Sequence, residues 1–169
     1  EQLAKRTNDQ ILAKSGSEEA YRKKTKALQR QIIALKNERD LKLQQAKNKI
    51  LQSFLKVKSD SVDFKTAKLN TQIAQRQFER VSMLENEGLK SLKDVETKKI
   101  QLQGTQAKEI SQQNRLLSSK NDIINAQVEI SRISMSYADK IFKIESDWFS
   151  AESNQLNTKA QVSKLQSNF

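Results

Sequence analysis

Apolar side chains recur at every seventh position along much of this chain. One series runs through Leu43, Ile50, Val57, Phe64, Thr71 and Phe78. A companion, three positions on, contains Ala46, Ala67, Ala74 and Val81, with polar Ser53 and Asp60 between them. Two such positions in every seven residues form a stripe along one side of an α-helix, and they mark helices that supercoil on a partner. No strong stop falls between Glu18 and Glu87, so the pattern predicts a helical arm over 18–87. Residues 1–14 are also helix-compatible, with Leu3, Ile11 and Leu12 apolar. Ser15-Gly16-Ser17 interrupts them, and Ser15 stands at capping-box spacing from Glu18. Residues 1–14 are therefore expected to form a short additional helical segment.

The clear stop is Glu87-Gly88-Leu89-Lys90-Ser91. Gly88 suits the left-handed position after a helix. Ser91 suits an N-cap, and Asp94 follows where a negative charge favours a helix start. A stop and a start this close predict an αα-hairpin with its tip at 88–91 and a second arm over 92–164. The fold class is all-α: a long antiparallel coiled-coil hairpin over 15–169.

The second arm has three apolar lines. Ile100, Ala107, Asn114, Asn121, Val128, Met135, Phe142, Phe149 and Leu156 form one, and Ile110, Leu117, Ile124, Ser131 and Ala138 another. These two are expected to face the first arm. Folding at Gly88 then brings Leu43 to Met135 or Ala138, Ile50 to Val128, Val57 to Ile124 and Phe64 to Leu117. The third line, Leu116, Ile123, Ile130, Tyr137 and Ile144, is wider than a two-helix seam needs. It is expected to pack laterally on another helix, either residues 1–14 or a neighbouring copy.

Composition agrees with long helices. The chain has no proline and three glycines, and these are the main breakers of regular structure. The longest wholly apolar run, Ile32-Ile33-Ala34-Leu35, is far short of the roughly 20 residues of a membrane span. A chain that starts at a glutamate is expected to be a fragment of a longer protein. The net charge of +11 raises nucleic acid or anionic membrane as partners. Residues 1–60, however, hold 15 Lys/Arg mixed with 7 Asp/Glu, and residues 121–169 hold 5 and 6. Without a dense basic block, a solvated mixed-charge helix surface is the better reading, and no nucleic-acid partner is expected.

Catalytic chemistry finds little to work with. There is no histidine and no cysteine, so the commonest bases and soft metal ligands are missing. The three glycines are isolated and make no phosphate loop. Glu18, Glu19, Glu85 and Glu87 read as solvated helix carboxylates, and Trp148 and Phe149 as inter-helix contacts. The expectation is no enzyme, no cofactor and no metal.

The turn carries the most specific signal. In the stretch FERVSMLENEGLKSLKDVE, Leu84 follows Arg80 by four residues and Ser91 follows Leu84 by seven. A glycine and an aliphatic residue precede the serine, and acids follow it. This spacing resembles the tip of the HlyD-type membrane fusion proteins, or periplasmic adaptors, as does the layout of two heptad arms around it. The resemblance is specific over 78–96 and compositional elsewhere.

It implies a hairpin whose tip meets a TolC-like outer-membrane channel. Copies, typically six, would form a ring that bridges to an inner-membrane transporter in efflux or type I secretion. It implies a periplasmic location in a Gram-negative bacterium, with the inner-membrane anchor outside this stretch. Arg80 would be the polar contact, Leu84 the apolar knob, and Ser91 both cap and contact, with Gly88 and Leu89 forming the turn. The alternative is a structural coiled-coil scaffold with no tip function.

Overall fold

A computed structural model describes residues 1–168. Two helices account for nearly all of them: α1, Gln2–Asn86, and α2, Leu92–Ser167. No strand occurs among the described residues. The helices pack antiparallel as a hairpin: Glu38 meets Tyr137, and Asp60 meets Ser119.

The additional N-terminal segment is corrected. Residues 2–14 are the opening turns of α1, and the helix runs unbroken through Ser15-Gly16-Ser17. One interior glycine costs a helix only about 1 kcal/mol, and strong helix formers stand on both sides. Ser17 donates its hydroxyl to the Ala13 carbonyl one turn back (3.2 Å) instead of capping a new start. The backbone of Gly16 is not left-handed.

The chain divides into two compact units, one holding the turn and one holding the chain ends. In the turn unit, Gln45–Ile130, α1 presents the predicted stripe. Ala46, Ala67 and Ala74 are buried, and Ile50, Val57, Phe64, Thr71 and Phe78 are half-buried. The opposing face of α2 is Leu102, Leu116, Ser119 and Ala126, all buried, with Ile123 and Ile130 half-buried.

The Asp60 carboxylate is buried at the centre of this seam, where the Ser119 hydroxyl donates to it. A buried carboxyl group is tolerable only with a partner. The pair therefore admits one register of the two helices.

In the end unit, residues 1–44 and 131 onward, the buried positions are Thr25 and Leu28 on α1 and Ile141, Ala151, Thr158 and Val162 on α2. The inner line of α1 here passes through Tyr21, Leu28 and Leu35 and then skips to Leu43, eight residues on. Tyr137, only 2% exposed, fills that level. Its ring lies beneath the ammonium groups of Lys42 (5.5 Å) and Lys140 (5.0 Å), and its hydroxyl donates to Glu38 Oε1 (2.7 Å). That hydrogen bond holds the Glu38 carboxyl below its ordinary range.

The phase of α2 is the second correction. Leu116, Ile123, Ile130, Tyr137 and Ile144, expected to wait for another helix, are the inner face of the hairpin itself. The lines expected to face inward point outward: Ile100, Ile110, Leu117, Ile124, Val128, Met135, Phe142, Phe149 and Leu156 are all exposed. The residues opposite Ile50, Val57 and Phe64 are thus one or two positions from those expected.

Two measurements follow. A Cβ at Gly16 or Gly104 meets nothing within 4 Å, and neither backbone is left-handed. Gly16→Ala and Gly104→Ala should each raise stability in urea by about 0.4–1 kcal/mol, whereas Gly88→Ala should lower it. A loss at Gly16 would restore a break there. Ser119→Ala should cost about 1–3 kcal/mol by stranding a buried carboxylate, and Asp60→Ala added to it should recover part of that loss. Strictly additive losses would mean the pair is not coupled.

Candidate functional site

The candidate site is built on the chain reversal. As α1 ends, Leu89 donates its N–H to the Leu84 carbonyl (2.8 Å) and Gly88 donates to that of Glu85 (2.9 Å). This crossed pair satisfies carbonyls that the helix end would otherwise orphan, and it requires a left-handed residue at its centre. Gly88 supplies it, with φ 77°. A Cβ there would have room, so conformation and not space selects glycine.

Three residues later α2 begins with a reciprocal cap. The Asp94 N–H donates to Ser91 Oγ (3.2 Å), and the Ser91 N–H donates to Asp94 Oδ2 (3.1 Å). The Ser91 hydroxyl also donates to Asp94 Oδ2 (2.9 Å). These bonds from Ser91 stabilise the ionised carboxylate and hold Asp94 below its ordinary range. The negative charge also sits where the helix dipole is positive. Two hydrogen-bonded caps, with Lys90 between them, leave the reversal little freedom.

Arg80 and Leu84 occupy the last two turns of α1, four residues apart and therefore on one face. Arg80 is exposed, Leu84 half-buried and Ser91 exposed. Leu84 has a structural duty as well, since its carbonyl accepts the turn bond. Leu89 is exposed at 68%, as are Met83 (64%) and Leu92 (63%). Met83 and Leu92 were not singled out from sequence, yet they present more apolar surface at the reversal than Leu84. Their signal was available: Met83 falls off the inner stripe of α1, and Leu92 precedes the first inward residue of α2, Val95.

The expected lateral-packing residues Leu116, Ile123, Ile130, Tyr137 and Ile144 are not at this site; they lie within the seam. Among the described residues no group of three or more Asp, Glu, His or Cys could hold a metal ion. No described helix is long and apolar enough to cross a membrane.

The cap has a predictable pH dependence. The Asp94 pKa is lowered in the folded chain, so its contribution is complete above the ordinary carboxylate range and is lost as pH falls through the lowered value. Protection of the Asp94 and Val95 amides against exchange, relative to their intrinsic rates, should fall in that acid window. In Asp94→Asn the acid-dependent step should vanish. An unchanged pH profile in that variant would show that the step arises elsewhere.

A scan against protein-family models finds no match to this chain, and a search among curated proteins finds no relative.

Proposed function

We propose that this chain is the hairpin of a periplasmic adaptor whose tip docks on a TolC-like outer-membrane channel. Domains outside it would reach an inner-membrane transporter, and the whole would serve tripartite efflux or type I secretion. On this reading the protein works in the periplasm of a Gram-negative bacterium, anchored to the inner membrane by segments beyond this stretch. Several copies, six in a typical adaptor, stand around the channel as a ring. The hairpin itself performs no catalysis and holds no cofactor.

The observation that carries the reading is the coincidence of motif and place. Arg80, Leu84 and Ser91 have the spacing of an adaptor tip, and they flank the reversal between α1 and α2. Arg80 presents a forked cation suited to carboxylates or carbonyls of a helical partner. Leu84, with the more exposed Met83, Leu89 and Leu92, offers apolar anchors of the kind that dominate interface energies.

The test uses the full-length protein in cells that carry its export system. Ser91 needs a substitution that keeps the cap. Asp at 91 would set a second carboxylate against Asp94, whereas Asn caps well and can still donate to it. Arg80→Asp, Leu84→Ala and Ser91→Asn should leave helix content nearly unchanged. Arg80→Asp alone should shift melting little, since exposed ion pairs are worth about 0–1 kcal/mol. Export and cross-linking to the outer-membrane channel should fall sharply, most for Arg80→Asp. Wild-type export by all three variants would leave a structural coiled coil as the function. Binding to nucleic acid that weakens steeply with salt would point to the basic-helix alternative instead.

A further inference from the structure

Two flanks run along the turn unit, Gln45–Ile130, and they differ in kind. A residue that follows an inward position stands about 100° round its helix from it, and a residue that precedes one stands as far the other way. Because α1 and α2 are antiparallel, the two following lines share one side of the hairpin and the two preceding lines share the other. Lys49, Asp122, Asn125 and Glu129, which precede inward Ile50, Ile123, Ala126 and Ile130, accordingly line one groove together.

The preceding flank is mostly polar and carries both signs, with Lys49 and Asp63 on α1 and Arg115, Asp122 and Glu129 on α2. The following flank is apolar and basic. Leu51 and Phe54 on α1, and Ile110, Leu117 and Ile124 on α2, are each 50% or more exposed. Beside them stand Lys58, Lys65, Lys68 and Lys120, all exposed. None of these lysines has an acid three or four residues away on its own helix. The acids of the same stretches lie elsewhere: Asp60 is buried, and Asp63 and Asp122 belong to the other flank.

We infer that the following flank of the turn unit is a docking face for an acidic amphipathic helix of another protein, laid as a third helix in the groove between α1 and α2. Spacing selects a helix. Ile110, Leu117 and Ile124 recur every seven residues, so they keep one bearing toward a supercoiling partner. A lipid surface requires no such register. Charge selects an acidic helix. Asp60 meets Ser119 across the seam, which sets Lys58 level with Lys120 and Phe54 level with Ile124. Lysines therefore stand on both walls, and a helix between them gains from carboxylates on both of its flanks. The exposed apolar side chains supply the anchors. A second copy of this chain does not match, because one of its flanks is basic and the other mixed. The inference does not rest on the docking reading: these residues lie outside the tip, and tip variants leave the face intact.

The full chain tests it with a labelled synthetic peptide of heptads, leucine at a and d and glutamate at e and g. Like charges at e and g keep the peptide from pairing with itself. Fluorescence anisotropy should show saturable binding that weakens with salt. A twin peptide with lysine at e and g should bind about tenfold more weakly or worse. Lys58→Glu with Lys65→Glu should weaken binding about tenfold more than Lys49→Glu with Lys56→Glu, which changes the net charge equally on the other flank. Leu117→Gln with Ile124→Gln should also cost about tenfold. The chain has no cysteine, so Lys58→Cys should form a disulfide with a cysteine-bearing acidic peptide in preference to Lys49→Cys. That cross-link decides the matter if a glutamate pair lowers helix content. An acidic peptide that does not bind the wild-type chain at its highest soluble concentration would overturn the inference, as would equal losses from the two glutamate pairs. Binding to vesicles of phosphatidylcholine and phosphatidylglycerol without binding of the peptide would overturn it in favour of a membrane surface. Self-association abolished by Leu117→Gln with Ile124→Gln would overturn it in favour of a second copy.

Discussion

The azimuth of α2 is set at the reversal, and the rest of the hairpin depends on it. A helix satisfies its own backbone hydrogen bonds, so nothing along α2 except side chains prefers one face over another. The reversal removes that freedom. Leu89 is tied back to Leu84, Gly88 to Glu85, and Ser91 and Asp94 to each other. With both helix ends fixed across five residues, Val95 enters on the inner side. The seven-residue repeat then carries that phase through Leu102, Leu116, Ile123 and Ile130. Ile110, Leu117 and Ile124 are left outside.

The seam chosen in this way is small and partly polar. Ala46, Ala67 and Ala74 of α1 face a strip of α2 that includes Thr105, Gln112 and Ser119. Alanines let two helices approach closely, but each removes little apolar area from water, and burial stabilises by only about 25 cal/mol per Å². The Asp60–Ser119 pair adds register more than stability, since the cost of burying polar groups offsets much of the hydrogen bond they make. In the end unit the Tyr137 ring is buried, held by Glu38 and flanked by two lysines. The Lys36–Glu145 ion pair between the helices, at 3.8 Å, is half-exposed and contributes at most modestly.

This division explains what was legible in the sequence and what was not. The stripe of α1 could be read because only one of its faces combines regular spacing with small and branched residues. The tip could be read because glycine, serine and aspartate occupy positions whose backbone geometry demands them. The phase of α2 could not be read from hydrophobicity, because the second line of its inner face is polar, with Thr105, Gln112 and Ser119, while Phe142 and Phe149 sit outside. Counting apolar residues does not separate the faces when bulky apolar side chains stand exposed on the outer one. The break expected at Gly16 failed for a related reason. A glycine ends a helix only when the chain gains something by turning left-handed there, and at Gly16 no carbonyl capture like that of Gly88 is on offer.

The tip separates into residues the fold needs and residues it does not. Gly88 supplies the left-handed backbone, Ser91 and Asp94 form the cap, and Leu84 lends its carbonyl to the turn and half its side chain to the seam. Met83, Leu89 and Leu92 expose apolar side chains that contribute little to burial in the hairpin. Arg80 is exposed at helical spacing from Leu84 and takes no part in either cap. In the end unit the same logic sets apart Phe142 and Phe149, which no packing within the chain requires. Large apolar groups held in water are unfavourable, and contiguous patches of them on a folded chain mark surfaces that meet partners. The hairpin thus uses small side chains for much of its own assembly and leaves many of its bulky apolar side chains exposed.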